Sequence, residues 1–296
     1  MCGSDIKYKL ILSCFKCVAC FPLTILYVIS NISAFIIHRI IKYRVSVVRG
    51  NLQKSFPDKT KRELRTIESK YYIHLCDIII ETIKLLNISD KFLRKHIRVQ
   101  NPELPKFIIE ESDTVILLLG HYANWEWVPF LTKYFDGDIK MGTLYKPLHS
   151  KVMDRIIKTI RNRHGIELIE NKNAFRNILE KKRQNQKFMI GFIGDQRPLN
   201  SNQKFHLQFL NQATEVLLGA ETIGRKTGSK FLYLDIESNK RGYYDLIFKE
   251  MNIKEETPTK QIQNYPYTTL FYKYLETSIR RMPHLWLWSH KRWNSS

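Results

Sequence analysis

The chain has 296 residues, which is enough for one large domain or two small ones, and 44% of them are hydrophobic, which is enough for a full core. Its formal net charge of +20 favours an anionic partner, such as nucleic acid, an anionic membrane, an acidic protein or a phosphorylated substrate. The odd number of five cysteines argues against a secreted scaffold held together by disulfides.

An apolar segment near the N-terminus predicts a membrane anchor. No formal charge occurs between Cys17 and Ile37, and about 20 apolar residues are enough to span a bilayer. Pro22 predicts a kink, and polar residues near the end of the segment leave a tilted or half-embedded helix as an alternative to a spanning one. The basic residues that follow favour a cytoplasmic location for the rest of the chain. We therefore predict an anchor at residues 1–40 and a second domain at residues 41–296.

The remainder of the chain alternates between segments with helical and strand-like patterns. This alternation is typical of an α/β fold, and we predict a mixed, mostly parallel sheet flanked by helices. In chain order, the predicted elements are helices Lys59–Leu86 and Ser89–Val99, strand Thr114–Leu119, helix Trp125–Tyr134, strand Lys140–Tyr145, helix Lys151–Arg163, strand Glu167–Glu170, helix Ala174–Arg183, strand Lys187–Ile193, helix Thr214–Thr227, a hairpin of strands Phe231–Ile236 and Tyr243–Phe248, and helix Tyr265–Arg281.

A histidine and a glutamate follow the buried strand predicted at Thr114–Leu119, at the position where open α/β folds place their chemistry. Residues five apart do not face each other on a helix, so we expect His121 in the turn and Glu126 in the first helical turn, reaching back to the histidine Nδ1. The carboxylate would fix the tautomer and leave Nε2 as a general base for a hydroxyl group. A purely structural histidine is the alternative. The same spacing in His149 and Asp154 is interpreted as the surface of an amphipathic helix.

A resemblance to a known family rests on six blocks of the sequence, which are Arg44–Pro57, Gly120–Trp127, Tyr145–Gly165, Gly194–Gln196, Phe209–Thr214 and Leu285–Trp293. In order and spacing they resemble the lipid A biosynthesis acyltransferases, a branch of the glycerolipid acyltransferase superfamily, and they extend from the N-terminal anchor to residue 293. Lys146 departs from the family pattern, which usually has arginine there, and Ala123 stands where many members have glycine.

The resemblance implies a membrane-associated enzyme that transfers a fatty acyl chain from acyl carrier protein to a hydroxyl of a lipid A precursor. Its location would be the inner (cytoplasmic) membrane, with the catalytic domain at residues 41–296 facing the cytoplasm. Its partners would be acyl carrier protein, a phosphorylated glycolipid and membrane lipids, with no nucleic acid. The donor would be the phosphopantetheine thioester of acyl carrier protein, and we predict no bound cofactor and no metal site.

The resemblance also assigns roles to individual residues. His121 and Glu126 would be the catalytic pair. Arg161 would stabilise the oxyanion or position a substrate phosphate, and Asp195 would orient Arg161 or the acceptor. The remaining predicted substrate-binding residues are Asn124, Tyr145, Lys146, Gln196, Arg197 and Thr214.

Two other functions compete with this interpretation. An O-acyltransferase that acts on a lysophospholipid or an amino-acid lipid would have nearly the same sequence features, because the chemistry is unchanged. A basic, membrane-tethered nucleic-acid-binding protein would explain the positive charge but not the strand–histidine–glutamate arrangement. The chain has no recognition motif for nucleic acid that stands out.

Overall fold

The computed structural model describes residues 3–135, 137, 139–198, 205–253 and 264–293. Strands in this part of the chain form a seven-stranded sheet and a separate two-stranded hairpin. The strands are β1 (Ile97–Val99), β2 (Thr114–Leu119), β3 (Lys140–Tyr145), β4 (Glu167–Glu170), β5 (Phe188–Ile193), β6 (His206–Phe209), β7 (Gln212–Glu215), β8 (Lys230–Lys240) and β9 (Tyr243–Glu250). The α-helices are α1 (Gly3–Cys20), α2 (Leu23–Phe35), α3 (Val45–Ser55), α4 (Lys61–Lys84), α5 (Asp90–His96), α6 (Glu103–Glu110), α7 (Lys151–Asn162), α8 (Ala174–Arg183), α9 (Gly219–Thr227) and α10 (Pro266–Arg281).

The large sheet has the strand order β1-β9-β8-β2-β5-β3-β4. Neighbouring strands are parallel except for β8 and β9, which form an antiparallel pair. The predicted α/β fold with a mixed, mostly parallel sheet is therefore confirmed. All six residues of β2 are buried, because helices α8 and α9 pack against it and β5 and β8 flank it. This burial on both faces explains why β2 has a nearly continuous apolar sequence.

Three predicted helices differ from the structure. The helix predicted at Ser89–Val99 ends three residues early, because β1 pairs with β9. The segment Trp125–Tyr134 forms a 3-10 helix, and Pro129 inside it lacks the N–H that an α-helix requires. The helix predicted to begin at Thr214 begins only at Gly219, because Thr214 belongs to the β6–β7 hairpin.

Pro22 divides the N-terminal segment into two helices, which confirms the predicted kink. One face of α2 is buried and packs against α4; it includes Leu26, Ser30 and Ala34. The hydroxyl of Ser30 donates a hydrogen bond of 2.5 Å to Asp77 on α4, so this polar side chain faces the protein. Residues on both sides of position 40 share one hydrophobic core. The boundary between an anchor and a catalytic domain stays a prediction.

The opposite face of α2 exposes large apolar side chains. Within the described residues, the continuous helical segment Leu23–Ile40 is the one that is long and apolar enough to cross a membrane. A contiguous apolar face of this kind marks a contact with a membrane or with another protein. The exposed large apolar side chains of α2 are Ile25, Val28, Ile29, Ile32 and Phe35.

Candidate active site

The register of the central sheet places His121 and Asp195 side by side. Strands β2 and β5 are parallel neighbours, and their last residues, Leu119 and Ile193, are paired. His121 and Asp195 each lie two residues beyond these strand ends. The carboxyl ends of neighbouring parallel strands meet at one edge of a sheet, where open α/β folds place their ligands. The sheet therefore brings the two side chains to a position suited to chemistry.

A carboxylate and an imidazole pair at this edge of the sheet. Asp195 Oδ1 lies 2.6 Å from His121 Nδ1, and Asp195 Oδ2 accepts hydrogen bonds from the backbone N–H of His121 at 2.9 Å and from the Trp286 indole at 2.7 Å. Burial acts to raise the pKa of Asp195, but the charge and hydrogen bonds of His121, together with Trp286, outweigh it and hold this pKa below its usual value. The carboxylate is therefore ionised at neutral pH.

The ionised carboxylate fixes the tautomer of His121. An ionised Asp195 can only accept hydrogen bonds, so Nδ1 of His121 carries the proton. Nε2 then has a free lone pair, and the side-chain amide nitrogen of Gln196 lies 3.2 Å from it as a donor. The His121 side chain is 16% exposed, so a hydroxyl group can reach Nε2 by displacing the Gln196 amide. This arrangement suits a general base.

The residue before the histidine must be small. A Cβ on Gly120 would lie 2.6 Å from the side chain of Leu275 and 3.3 Å from Asp195 Oδ2. A larger residue would therefore push against α10 and against the carboxylate that holds the imidazole. This close approach explains why a glycine stands between the end of β2 and His121.

The C-terminal segment holds the loop that follows β2. The backbone N–H of Leu287 donates to the carbonyl of His121 at 3.1 Å, and Tyr122 and Trp286 form an isolated antiparallel bridge. Trp286 and Trp288 are buried. Both side chains therefore pack the terminal segment onto the core. The terminal segment therefore supports the position of the histidine.

The predicted contact between Glu126 and Nδ1 of His121 is wrong. Glu126 pairs instead with Arg161, whose Nη2 donates to both carboxylate oxygens at 2.8 and 3.0 Å. Asp195 occupies the place predicted for Glu126. Of the two roles predicted for Asp195, a contact with Arg161 does not occur among the described residues, and a contact with the acceptor stays a prediction. The reason is local: the side chain of Asn124 accepts a hydrogen bond of 3.1 Å from the backbone N–H of Glu126 and starts the 3-10 helix there. The Glu126 carboxylate therefore meets α7, which carries Arg161.

Asn124 is itself held by a buried carboxylate that was not identified from the sequence. Glu81 on α4 is fully buried, and it accepts hydrogen bonds from Tyr27 at 2.6 Å, from Tyr244 at 2.8 Å and from the side-chain amide of Asn124. These contacts connect α2 and β9 to the turn that positions Glu126. An acidic residue inside the apolar run of α4 was the one sequence signal for this network.

We expect the buried carboxyl group of Glu81 to make the stability of the fold depend on pH. Burial raises the pKa of Glu81 to about 7, although the three hydrogen bonds that it accepts favour the ionised form. The folded protein therefore binds this proton more tightly than the unfolded chain. The contribution is fully present below the ordinary pKa of glutamate and is lost as the pH rises through about 7.

We expect Glu81→Gln to remove this dependence. As the pH is raised from 5 to 8, the melting temperature of the wild type should fall relative to that of the variant. The underlying free energy amounts to at most about 3 kcal/mol for a shift of this size. Thermal unfolding measured at several pH values checks the prediction. A constant difference across this range would show that Glu81 keeps one protonation state.

An apolar cavity lies beside the edge of the sheet that carries His121. Trp125 packs edge-on against His121, with ring centroids 5.1 Å apart, and its indole donates to Glu126 Oε1 at 3.2 Å. Glu126 and Arg161 contribute the charged part of the cavity wall. The rest of the wall is mostly apolar, comes largely from β2, β3 and β5, and includes Leu117, Leu119, Met141, Gly191 and Ile193. The lining is apolar enough for an alkyl chain, but the cavity volume of about 30 Å³ is that of about one water molecule, so its walls must move apart before a chain can enter.

The other predicted binding residues are distributed around the site. Tyr145 is buried at the end of β3, and its hydroxyl has no hydrogen-bond partner among the described residues. Lys146 is exposed, and Arg197 is half-buried in the wall of a second, polar cavity. Thr214 accepts a hydrogen bond of 2.7 Å from the indole of Trp293, which holds the terminus on the β6–β7 hairpin. Contacts of these residues with a substrate stay predictions.

Comparison with known proteins identifies the family over almost the whole chain. The family model described as bacterial lipid A biosynthesis acyltransferase matches residues 6–295. The match includes the histidine, its carboxylate partner, the Glu126–Arg161 pair and the C-terminal segment. A search of curated proteins gave no match.

Proposed function

Because the chain belongs to the bacterial lipid A biosynthesis acyltransferases and is therefore an acyltransferase, we propose that it transfers a fatty acyl chain from acyl carrier protein to a hydroxyl of a lipid A precursor. The observation that carries this proposal is the His121–Asp195 pair at the carboxyl edge of the sheet. A hydroxyl is a poor nucleophile until its proton is removed during attack, and the free Nε2 of His121 supplies a base for that step.

The proposed reaction proceeds without a covalent enzyme intermediate. Nε2 of His121 takes the proton of the acceptor hydroxyl as its oxygen attacks the thioester carbonyl. The tetrahedral intermediate then collapses, the carbon–sulfur bond breaks, and the imidazolium returns the proton to the departing thiolate. Asp195 stabilises the transient imidazolium by its negative charge. The products are the acylated glycolipid and the free thiol of the carrier.

The negative charge that develops on the thioester oxygen needs a fixed donor. We propose the side-chain amide of Gln196 as this donor, because its nitrogen lies 3.2 Å from Nε2 of His121, where the reacting atoms meet. Arg161, which was predicted to stabilise the oxyanion or to position a phosphate, is less available for the oxyanion, because both oxygens of Glu126 hold its guanidinium. We propose that the Glu126–Arg161 pair shapes the charged end of the apolar cavity. The acyl chain of the donor would enter the apolar part only after the walls of this small cavity moved apart.

The substrate can be tested by mass spectrometry of the cell's glycolipids. Loss of the protein should remove one acyl chain from lipid A, and the wild-type gene should restore it, whereas a gene for the His121→Ala variant should not. The purified enzyme should also acylate a lipid A precursor with acyl carrier protein thioesters. Preferred acylation of a lysophospholipid or an amino-acid lipid in the same assay would support the competing acceptor class and contradict the proposal.

The exposed face of α2 supports attachment of the enzyme to the membrane that contains its acceptor. The other face of α2 is occupied by α4, whose Asp77 binds both Ser30 and Arg241. Full insertion of α2 across a bilayer would bring these charged groups into the hydrocarbon, which is unfavourable. We therefore propose that α2 lies along the membrane surface with its apolar face in the lipid.

We expect Val28→Asp/Ile32→Asp to release the enzyme from membranes. Both side chains are more than half exposed on α2, and withdrawing two apolar side chains from lipid weakens partitioning by at least about a hundredfold. Co-sedimentation with anionic vesicles measures this effect. Phe107→Asp/Phe175→Asp is the matched control, because these side chains are also exposed but lie on α6 and α8. Equal release by both pairs, or by neither, would contradict the proposed contact surface.

Point substitutions are preferred to deletion of residues 1–40. The deletion removes Tyr27 and Ser30, which bind the buried carboxylates of Glu81 and Asp77. It would therefore remove one hydrogen bond from each of these buried carboxylates, which keep their other partners, and destabilise the fold. Loss of membrane binding after such a deletion would not distinguish an anchor from a folding defect.

A further inference from the structure

A second cavity, separate from the apolar one, is lined mainly by polar and basic groups. Its volume is about 430 Å³, and it lies between α3, the β6–β7 hairpin and the C-terminal segment. Among the described residues, three permanent cations line it against one carboxylate, that of Glu215, so this part of the lining carries a positive net charge. The lining residues with charged or titratable side chains are Lys54, Arg197, His206, Glu215 and Arg292.

The most informative group in this cavity is the guanidinium of Arg292. The residue is 2% exposed, and its Nη2 donates to the carbonyl of Glu215 and to the hydroxyl of Tyr272 at 3.0 Å. Its Nε and Nη1 are buried and have no hydrogen-bond partner among the described residues. A buried cation is unfavourable unless an anion and hydrogen-bond acceptors compensate it. The unused edge of the guanidinium is therefore suited to an anionic ligand.

The cavity is connected to the strand end that carries the catalytic carboxylate. Tyr272, which accepts from Arg292, donates its own hydroxyl hydrogen to the carbonyl of Gly194 at 3.0 Å. Gly194 directly precedes Asp195, and Arg197 in the cavity wall follows two residues later. A ligand held in this cavity would thus lie against the segment that positions the base.

We propose that this cavity binds a phosphoryl group of one of the two substrates; the assignment to a substrate rests on the proposed function. Arginine binds two oxygens of one phosphate through its planar fork, and lysine adds a point charge. A phosphoryl group carries more negative charge and more acceptor oxygens than a carboxylate, which matches three cations opposed by one anion. The same chemistry is present in the phosphopantetheine arm of the donor and in a phosphorylated sugar of the acceptor.

Direct binding of inorganic phosphate to the full-length protein in detergent tests the site without requiring turnover. By isothermal titration calorimetry at low salt, we expect Arg292→Lys to weaken binding at least tenfold, because the fork is lost. Lys54→Ala should weaken binding by about twofold to fivefold, as expected for an exposed charge. Lys54 is exposed, so this variant keeps the test valid if Arg292→Lys lowers the melting temperature. Lys91→Ala, an exposed lysine on α5, is the control and should bind phosphate normally.

Competition experiments distinguish the two sources of phosphate. Phosphopantetheine should displace inorganic phosphate much better than pantetheine if the donor occupies the cavity. Glucosamine 1-phosphate should do so better than glucosamine if the acceptor occupies it. The proposal is overturned if phosphate does not bind, if Lys54→Ala and Arg292→Lys both bind it like the control, or if neither phosphorylated compound competes better than its unphosphorylated counterpart.

The proposed function can fail independently of this site. The His121→Ala variant should bind phosphate with unchanged affinity, because His121 does not line the cavity. Normal phosphate binding by a wild-type enzyme that acylates no lipid A precursor would refute the proposed function and leave the phosphate site standing. Normal turnover together with absent phosphate binding would refute the phosphate site and leave the proposed function standing.

Discussion

Replacing His121 by alanine is expected to lower turnover by about 10²- to 10⁴-fold, the usual contribution of a positioned general base. The imidazole is the group whose Nε2 is free to accept a proton, since its Nδ1 is held 2.6 Å from Asp195. Turnover is measured with an acyl carrier protein thioester and a hydroxyl acceptor under saturating conditions. The fall should appear in kcat, because the proton transfer belongs to the transition state and not to substrate binding.

The control for this prediction is the state of the variant protein. The His121 side chain is partly exposed and its backbone contacts with Leu287 do not depend on the imidazole, so the fold should persist. Membrane association should also persist, because the apolar face of α2 is unchanged. Turnover close to that of the wild type from a folded variant would refute the assignment of His121 as the base.

Local sequence patterns were sufficient to locate the histidine but not its partner. The apolar run of β2 and the following Gly120 placed His121 at a strand end, and the structure confirms this position. The partner, Asp195, lies 74 residues later, and it meets His121 only because β2 and β5 are neighbours in the sheet. Strand order depends on contacts between distant parts of the chain. The sequences of two strands therefore do not reveal that the strands are neighbours in the sheet.

The pairing predicted for Glu126 fails for a related reason. Its spacing from His121 indicated that the carboxylate could reach back across a turn, but several carboxylates can compete for one imidazole. Asn124 decides the outcome, because its side chain caps the helix that carries Glu126 and is itself held by Glu81. The family resemblance marked Asp195 and Arg161 as functional positions, and the structure places Asp195 against His121 and Arg161 against Glu126. Only the packing shows which carboxylate binds which base.

The second large effect is expected from Asp195→Asn, which should lower turnover by about 10³- to 10⁴-fold, as when a catalytic imidazole is held in the wrong tautomer. Asp195 is the acceptor in all three of its hydrogen bonds: Oδ2 accepts from the His121 backbone and from Trp286, and Oδ1 accepts from His121 Nδ1. An asparagine has one oxygen and one NH₂ group. Its oxygen will remain where two donors converge, so its NH₂ group will face Nδ1.

This orientation changes the histidine itself. Nδ1 must become an acceptor opposite the NH₂ group, so the ring proton moves to Nε2 and the lone pair of the base is lost. Nitrogen-15 NMR of the labelled imidazole measures the tautomer directly, and it should show Nδ1–H in the wild type and Nε2–H in the variant. A merely structural role for Asp195 would lower the melting temperature without exchanging the tautomer.

Glu126→Gln is the matched comparison, because it also changes one carboxylate to an amide near His121. It weakens the pair with Arg161 but leaves Asp195 in place, so turnover should fall less and the tautomer should stay that of the wild type. Asp195→Asn combined with His121→Ala should be scarcely slower than His121→Ala alone, because the carboxylate acts only through the imidazole. Additive losses in the double variant would mean that Asp195 contributes to catalysis by a route independent of His121.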